Sequence, residues 1–212
     1  MYPNSAAFAL HSPDGEIQSA ACLVLFAFSS AKTLSCTSLS RIAFCAARNE
    51  MLSGELLVCD DGGNELLRYS GISSPAELPG RRVGFSTFSV QGSLCGLSGG
   101  MDLLIPEHSR ALALSGVELL CCFPSVDVYE AFPFDQIARV RAVENQIFTA
   151  LVPPSGESVV CWGPTGAPLG SSRSDSGELL FVLRPEYIAR ARKKYPLRSL
   201  RKKQLRYALA AL

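Results

Sequence analysis

Residues 95 to 120, CGLSGGMDLLIPEHSRALALSGVELL, place a short apolar run, a Gly-Gly pair and an amphipathic segment in direct succession. The apolar run predicts a buried strand over residues 93 to 98, and the Gly-Gly pair predicts a tight turn after it. Proline is favoured at the first position of a helix, so Pro106 predicts a helix over residues 106 to 115. A strand that turns sharply into a helix is a unit from which α/β folds are built.

The chain from residue 54 onward continues this alternation. GELLVCDDGGNELLRY, residues 54 to 69, has two apolar runs around a cluster of turn-forming residues, which predicts a β-hairpin. Apolar side chains at helical spacing in PFDQIARVRAVEN predict a helix over residues 133 to 145. Further strands are predicted for the apolar runs VELLCCF, QIFTALV, SVVCW and ELLFVL. We therefore expect a single α/β domain over residues 1–212, within which residues 1–50 show little periodicity.

Positive charge is concentrated near the C-terminus. Residues 190 to 206 hold nine of the 20 Lys and Arg residues and no acidic residue, whereas the formal net charge of the chain is only +1. Such a segment could neutralise the phosphates of a nucleic acid or contact an acidic membrane surface. Leu and Tyr residues are interleaved with its cations, however, and they suit docking against protein. We describe residues 190–212 as the basic C-terminal tail and do not expect it to bind nucleic acid.

The eight cysteines have irregular spacing, and most lie inside apolar runs such as ELLCCF and VVCW. No Cys-x-x-Cys pair occurs, so we expect buried free thiols in a reducing compartment, no metal site and no cofactor. The most apolar segment near the N-terminus, residues 19 to 31, is shorter than the roughly 20 residues that span a bilayer. It also lacks a preceding basic region, so we expect no membrane span and a cytoplasmic location.

Five local sequences, in this order, resemble the nitrilase (carbon-nitrogen hydrolase) superfamily. LLRYSG is similar to the segment in which that family places an active-site Lys shortly after a Tyr, and CGLSGGMDLLIPEHSR is similar to its nucleophile-elbow segment. ALSGVELLCCFPS resembles the next strand, RVRAVENQIFTALV the following helix and strand, and WGPTGAPLG a late Gly-Pro-x-Gly turn. The resemblance covers about residues 54 to 207.

The resemblance implies a four-layer α-β-β-α sandwich with an incomplete N-terminal part, and a dimer formed through its helices. It also implies a Glu, Lys and Cys trio that hydrolyses or condenses non-peptide amide or nitrile bonds. Set against this pattern, Gly100 occupies the position of the nucleophile and Gly71 that of the lysine. Glu77 is similar to a second carboxylate that some members carry. With Asp102 and Glu107, it would form a residual pocket for a small amide or acid.

Glycine has no group that can attack a carbon, so the family's chemistry has no nucleophile at residue 100. No lysine occurs between Lys32 and Lys193, and an arginine does not replace a compact ammonium without new positioning. Cys95 or Ser98 would have to act instead. Cys95 lies five residues earlier on the predicted strand, where the alternation of side chains points it to the opposite face.

The remaining polar residues of this region have structural as well as chemical interpretations. Asp102 and Glu107 would be either an acid and base pair, or an anchor for the turn and a favourable charge at a helix N-terminus. His108 is expected at the helix surface. Glu144 and Asn145 are expected to tie the end of their helix to its neighbours.

Two hypotheses about function follow. The first is a catalytically inactive nitrilase-like protein that acts in binding or subunit assembly, as a homodimer or as a hetero-oligomer with a related subunit. The alternative is an amide hydrolase with non-standard active-site residues, or a protein that binds an anionic partner through the basic C-terminal tail.

Overall fold

The computed structural model describes residues 6–10, 25–26, 28–29, 46–47, 55–59, 65–70, 85–90, 93–153, 159–169, 172–173 and 179–210. Its strands are β1 (Ala6–Leu10), β2 (Leu25–Phe26), β3 (Phe28–Ser29), β4 (Ala46–Ala47), β5 (Glu55–Cys59), β6 (Glu65–Ser70), β7 (Thr87–Val90), β8 (Ser93–Gly99), β9 (Leu119–Phe123), β10 (Phe148–Leu151), β11 (Val160–Trp162), β12 (Ser172–Arg173) and β13 (Leu179–Leu183). Its α-helices are α1 (Pro106–Leu114), α2 (Val126–Ala131), α3 (Phe134–Asn145), α4 (Pro185–Lys194) and α5 (Leu197–Ala210), and a single 3-10 turn spans Asp102–Leu104.

A five-stranded sheet carries the strand-turn-helix segment. Its strands run in the order β11, β10, β9, β8, β7, with β8, β9 and β10 parallel and the two outer strands antiparallel to their neighbours. Parallel neighbours need a crossover connection, which α1 supplies between β8 and β9, and α2 and α3 between β9 and β10. All five residues of β9 are buried, because both faces of this central strand are covered.

The two faces of the sheet belong to two apolar clusters. On one face, Leu97 and Cys121 pack in a cluster that also contains Val58 from the hairpin and Leu183 from β13. On the other face, Cys122 packs in a cluster with buried residues of α1 and α3. Adjacent residues of a strand point to opposite faces, so the neighbouring thiols of Cys121 and Cys122 are separated by the sheet. Both are buried and free.

The structure confirms the helices and strands that local sequence patterns predicted. Strands β5 and β6 form the antiparallel hairpin, and helices α1 and α3 begin and end within one residue of their predicted bounds. Other features were not predicted. Among them are strands β7 and β12, helix α2, and the antiparallel pairing of β1 with β13, in which Ala6 lies opposite Leu183.

Part of the basic C-terminal tail packs against this same chain. Neither α1 nor α3 has a basic residue in its last turn, where free carbonyl groups attract cations. Arg198 donates from Nη2 to the carbonyl of Ala113 near the end of α1. Arg201 donates from Nη2 to the carbonyl of Glu144 near the end of α3, at 2.8 Å. Two cations of the tail therefore cap helices of the domain.

Candidate functional site

The turn after β8 has the backbone of an elbow and no side chain at its tip. Gly100 has φ +56°, in the left-handed region, and its amide donates to the carbonyl of Phe123 at 3.0 Å. A Cβ built on Gly100 would meet no atom within 4 Å among the residues that the structure describes. A side chain at this position would therefore project into open space, but glycine supplies no nucleophile there.

Asp102, two residues after the tip, is held by a buried tyrosine. Asp102 and Tyr69 both have 0% exposure, and the Tyr69 hydroxyl donates to Oδ2 of Asp102. Burial raises the pKa of Tyr69 strongly, and the negative charge of Asp102 raises it further. The phenol therefore remains a protonated hydrogen-bond donor. The contact joins the hairpin strand β6 to the elbow turn across 33 residues of sequence.

His108 lies inside the protein, so its predicted surface position is wrong. Its side chain is 1% exposed, and Nε2 lies 2.9 Å from the carbonyl oxygen of Leu97. Because a carbonyl only accepts, Nε2 carries the proton in this contact. The rings of Phe85 and Tyr69 lie 5.6 and 6.3 Å from the imidazole, measured between ring centroids. These rings come from distant parts of the sequence, which helical periodicity cannot reveal.

The other imidazole nitrogen, Nδ1 of His108, is buried without a hydrogen-bond partner among the described residues. A general base must reach the proton that it removes, either directly or through one water molecule. In the described part of the chain, no hydroxyl or thiol is hydrogen-bonded to this nitrogen. His108 thus shares no hydrogen bond with a nucleophile there.

Arg141 fixes the turn that follows the elbow. Its guanidinium donates from Nε to the carbonyl of Leu103 at 3.0 Å and from Nη2 to the carbonyl of Leu104 at 3.1 Å. Its third nitrogen, Nη1, pairs with the Glu144 carboxylate at 3.2 Å, and Arg110 reaches the other oxygen of that carboxylate at 3.4 Å. The planar guanidinium suits this arrangement, because its donors point in fixed directions.

Asn145 completes the connection between the two helices. Its Nδ2 donates to Oγ of Ser109 at 3.2 Å, and Ser109 in turn donates to the carbonyl of Pro106 at 3.1 Å. The prediction that Glu144 and Asn145 tie the end of their helix to its neighbours is confirmed. These polar residues hold the elbow and α1 in place.

The structure describes two of the three residues predicted for a residual pocket, Asp102 and Glu107. Asp102 is fully buried against Tyr69, whereas Glu107 is exposed in the first turn of α1. The carboxylates therefore have different environments, and they fit the structural interpretation of an anchor and a helix-terminal charge. Gly71 and Glu77 lie outside the described residues.

The two alternative nucleophiles are both inside the protein. Cys95 has 0% exposure and packs in the core on the face of the sheet that carries Leu97 and Cys121. Ser98 is 1% exposed, and its hydroxyl has no hydrogen-bond partner among the described residues. A substrate would need to enter the core to reach either side chain.

Among the described residues, no group of three or more His, Cys, Asp or Glu side chains could hold a metal ion. None of the helices in the described part of the chain combines the length and apolar character that a membrane crossing requires.

No protein-family model matches the sequence, and no curated protein does. Solved structures, however, match the fold. A carbon-nitrogen hydrolase from Helicobacter pylori G27 superposes with a TM-score of 0.59 at 20% identity, over 81% of this chain and 70% of that one. Nit3 of Saccharomyces cerevisiae, described as a member of branch 10 of the nitrilase superfamily, gives 0.56 at 19% identity, over 74% of this chain and 64% of its own.

The NitFhit protein of C. elegans gives a TM-score of 0.55 at 21% identity, over 71% of this chain and 42% of that longer one. The chain thus spans less than two thirds of the length of Nit3 and of NitFhit. At these identities the likeness is one of fold, and it confirms the α/β fold that the sequence predicted. The chain has the fold of the carbon-nitrogen hydrolases of the nitrilase superfamily.

Proposed function

We propose that this chain is a nitrilase-like protein without amide- or nitrile-hydrolysing activity, which acts by binding and subunit assembly. The observation that supports the proposal is Gly100, which lies at the tip of the elbow with φ +56°. A Cβ at this position would meet no atom of the described residues within 4 Å. The elbow geometry is present and the attacking group is absent. Replacing a single catalytic side chain of a cooperating set costs on the order of a millionfold in rate.

The environment of the elbow supports the same proposal. Asp102, Arg141 and Asn145 make the hydrogen bonds that hold the turn and the adjacent helices. A lysine is absent from the whole sequence between Lys32 and Lys193. The polar residues around the turn therefore support a scaffold, and the groups that would perform chemistry are missing.

The proposed partner is a related subunit or a second copy of this chain. Large apolar side chains are half exposed on three helices, with Leu114 on α1 at 59%, Val140 on α3 at 51% and Leu200 on α5 at 52%. Exposed apolar side chains favour association where they form a contiguous patch. The free buried thiols of Cys121, Cys122 and Cys161 support a reducing, cytoplasmic location. Co-purification from the source cell would identify the partner.

Two experiments test the proposal. The first measures whether residue 100 is accessible, and the second measures whether the chain hydrolyses amides or nitriles. A Gly100→Cys variant places a thiol in the open space, at a strain cost of about 1 to 2 kcal/mol for a side chain in the left-handed region. We expect iodoacetamide to label Cys introduced at residue 100 about as fast as one introduced by Ala131→Cys on the exposed end of α2. The native thiol of Cys122 should stay unlabelled because it is buried. Peptide mass mapping distinguishes the three sites.

The same variant and the wild-type chain should both fail to hydrolyse a panel of amides and nitriles above the rate in buffer. A wild-type chain that turns over any of these substrates would contradict the proposal. Loss of that turnover in Ser98→Ala, but not in the exposed control Ser199→Ala, would assign the activity to the alternative nucleophile. Failure of residue 100 to be labelled would show that the elbow is closed.

The alternative role of the basic C-terminal tail is less well supported. Arg198 and Arg201 already bind helix carbonyls of the same chain, so their charges are partly neutralised by the fold. Salt-dependent binding of DNA or RNA measures this alternative directly, because each phosphate contact contributes to the salt slope. A steep slope that Lys202→Gln and Lys203→Gln reduce would favour it.

A further inference from the structure

A groove of about 820 Å³ lies where α4, the end of α3 and the turn after β11 meet. Its lining is mainly apolar and, among the residues that the structure describes, contains no Asp or Glu. The walls and floor include Val143, Pro164, Ala167, Pro168, Leu169 and Leu197. Gly100 is not part of the lining, so the groove is separate from the elbow. The volume lies within the range of small-molecule pockets, roughly 300 to 1,000 Å³.

Two cationic side chains of α4 line the groove. Arg190 and Lys194 are one helical turn apart, and both are exposed. The Arg190 guanidinium lies 5.9 Å from the ring centroid of Tyr187, and the Lys194 ammonium lies 5.2 Å from that of Tyr195. Exposed cation-π contacts contribute only about 0.5 to 1 kcal/mol and leave the N–H donors available.

These two cations differ from their neighbours along the tail. Arg198 and Arg201 donate to helix carbonyls, whereas neither Arg190 nor Lys194 has an ion pair with a carboxylate in the described part of the chain. An apolar cavity with two available positive charges attracts a ligand that has an apolar body and a negative head. Charge complementarity of this kind determines which ligands bind.

The groove is held open by hydrogen bonds that do not involve a ligand. Gln146, in the left-handed conformation with φ 53°, donates from Nε2 to the carbonyls of Ala191 and Tyr195 at 3.1 and 2.7 Å. Arg139 donates from Nε to the carbonyl of Gly166 at 2.8 Å, which fixes the opposite wall. A preformed cavity loses less conformational entropy on binding than one that must be ordered by its ligand.

We propose that this groove binds a small amphipathic carboxylate, with its apolar body on the floor and its carboxylate between Arg190 and Lys194. A second copy of the chain suits the groove less well. A symmetric contact would present the same lining to itself, and the described part of that lining has two cations and no carboxylate. The groove therefore complements a free organic acid better than its own surface.

Dansylated undecanoic acid tests the proposal, and its methyl ester is the uncharged control. We expect the full chain to bind the acid more tightly than the ester in a fluorescence titration. The double variant Arg190→Gln, Lys194→Gln should lose about a hundredfold in affinity for the acid and keep its affinity for the ester, since each of the two charged hydrogen bonds contributes about 1.5 kcal/mol or more and about 1.4 kcal/mol corresponds to tenfold. The matched variant Lys202→Gln, Lys203→Gln removes the same charge from exposed positions on α5 and should change neither affinity.

Ala167→Trp places a large ring in the groove and should abolish binding of both probes. Equal affinities of the acid for the wild type and the Arg190, Lys194 double variant would overturn the proposal. So would equal affinities of the wild type for acid and ester, or retention of the probes by Ala167→Trp. If neither probe binds and Ala167→Trp dissociates a wild-type dimer in sedimentation velocity, the groove is an interface between copies and the proposal fails.

Discussion

The hydrogen bond between Tyr69 and Asp102 is the contact whose loss should have the clearest consequence. Tyr69→Phe removes one oxygen and keeps the ring, which is fully buried in the core. The substitution leaves the apolar packing in place and withdraws a donor from the carboxylate of Asp102. It therefore separates the polar contact from the packing of the aromatic ring.

The size of the expected stability loss follows from the burial of Asp102. Asp102 has 0% exposure, so water does not replace the lost hydroxyl without a rearrangement. A hydrogen bond to a charged group typically contributes about 1.5 to 3 kcal/mol. We expect Tyr69→Phe to lower the free energy of unfolding by about 2 to 3 kcal/mol at pH 7. Because domains have only about 5 to 15 kcal/mol in total, this is a large fraction.

Raising the pH above 10 should lower the free energy of unfolding of the wild-type protein. The pKa of Tyr69 is raised in the folded chain, mainly by burial and then by Asp102, whereas an unfolded tyrosine ionises near pH 10. Above pH 10 the unfolded state therefore releases a proton that the folded state keeps. The wild-type free energy of unfolding then falls by up to about 1.4 kcal/mol per pH unit from this residue. Phenylalanine cannot ionise, so the difference between the two proteins should shrink above pH 10.

Urea unfolding of both proteins at pH 7 and at several values above pH 10 measures this difference. Tyr187→Phe, on the groove side of α4, controls for the loss of a hydroxyl at a more exposed position. Equal stability of Tyr69→Phe and wild type at pH 7 would refute the contribution of the hydrogen bond. A difference that stays constant through pH 11 would refute the raised pKa.

Two further predictions concern the arginines that join separate elements. Arg141→Met should lower the free energy of unfolding by about 2 to 4 kcal/mol, because two carbonyls of the turn after the elbow lose their charged donor; a change under about 0.5 kcal/mol in urea unfolding would contradict this. Arg198→Gln combined with Arg201→Gln should speed amide hydrogen exchange in α5 and lower the free energy of unfolding by about 1 to 2 kcal/mol, since the helix ends lose their caps. The same measurements on Lys202→Gln with Lys203→Gln provide the control, and equal exchange in the two double variants would contradict the capping role.

Local signals predicted much of this fold. The β5–β6 hairpin was predictable because a cluster of turn-forming residues separates two apolar runs of strand length. Helix α1 was predictable because Pro106 marks its start and the glycine after it marks its end. In both cases the residues that decide the structure lie close together in the sequence, so a single sequence contains the whole signal.

Contacts between distant residues were not predictable in this way. The pairing of β1 with β13 joins the first and last strands of the described chain, and no local pattern identifies that partner. His108 was expected at the surface, but the rings of Phe85 and Tyr69 lie beside it. The periodicity of a helix indicates which residues share a face, and it does not show which neighbours cover that face.

The sequence by itself determined that residue 100 carries no side-chain nucleophile. A glycine at residue 100 has no lone pair to offer in any fold, and the stretch without lysine from residue 33 to 192 is independent of geometry. It also determined the strand-turn-helix order, because turn and cap residues act on their immediate neighbours. These properties depend on covalent structure and on short-range sterics.

Tertiary structure alone decided what surrounds that turn. It placed Tyr69 against Asp102, Arg141 on two carbonyls of the following turn, and Arg198 on the end of α1. It also formed the groove beside Arg190 from segments that are far apart in sequence. Burial and hydrogen-bond partners come from chain segments that meet only after folding, so the environment of each side chain is a property of the packed molecule.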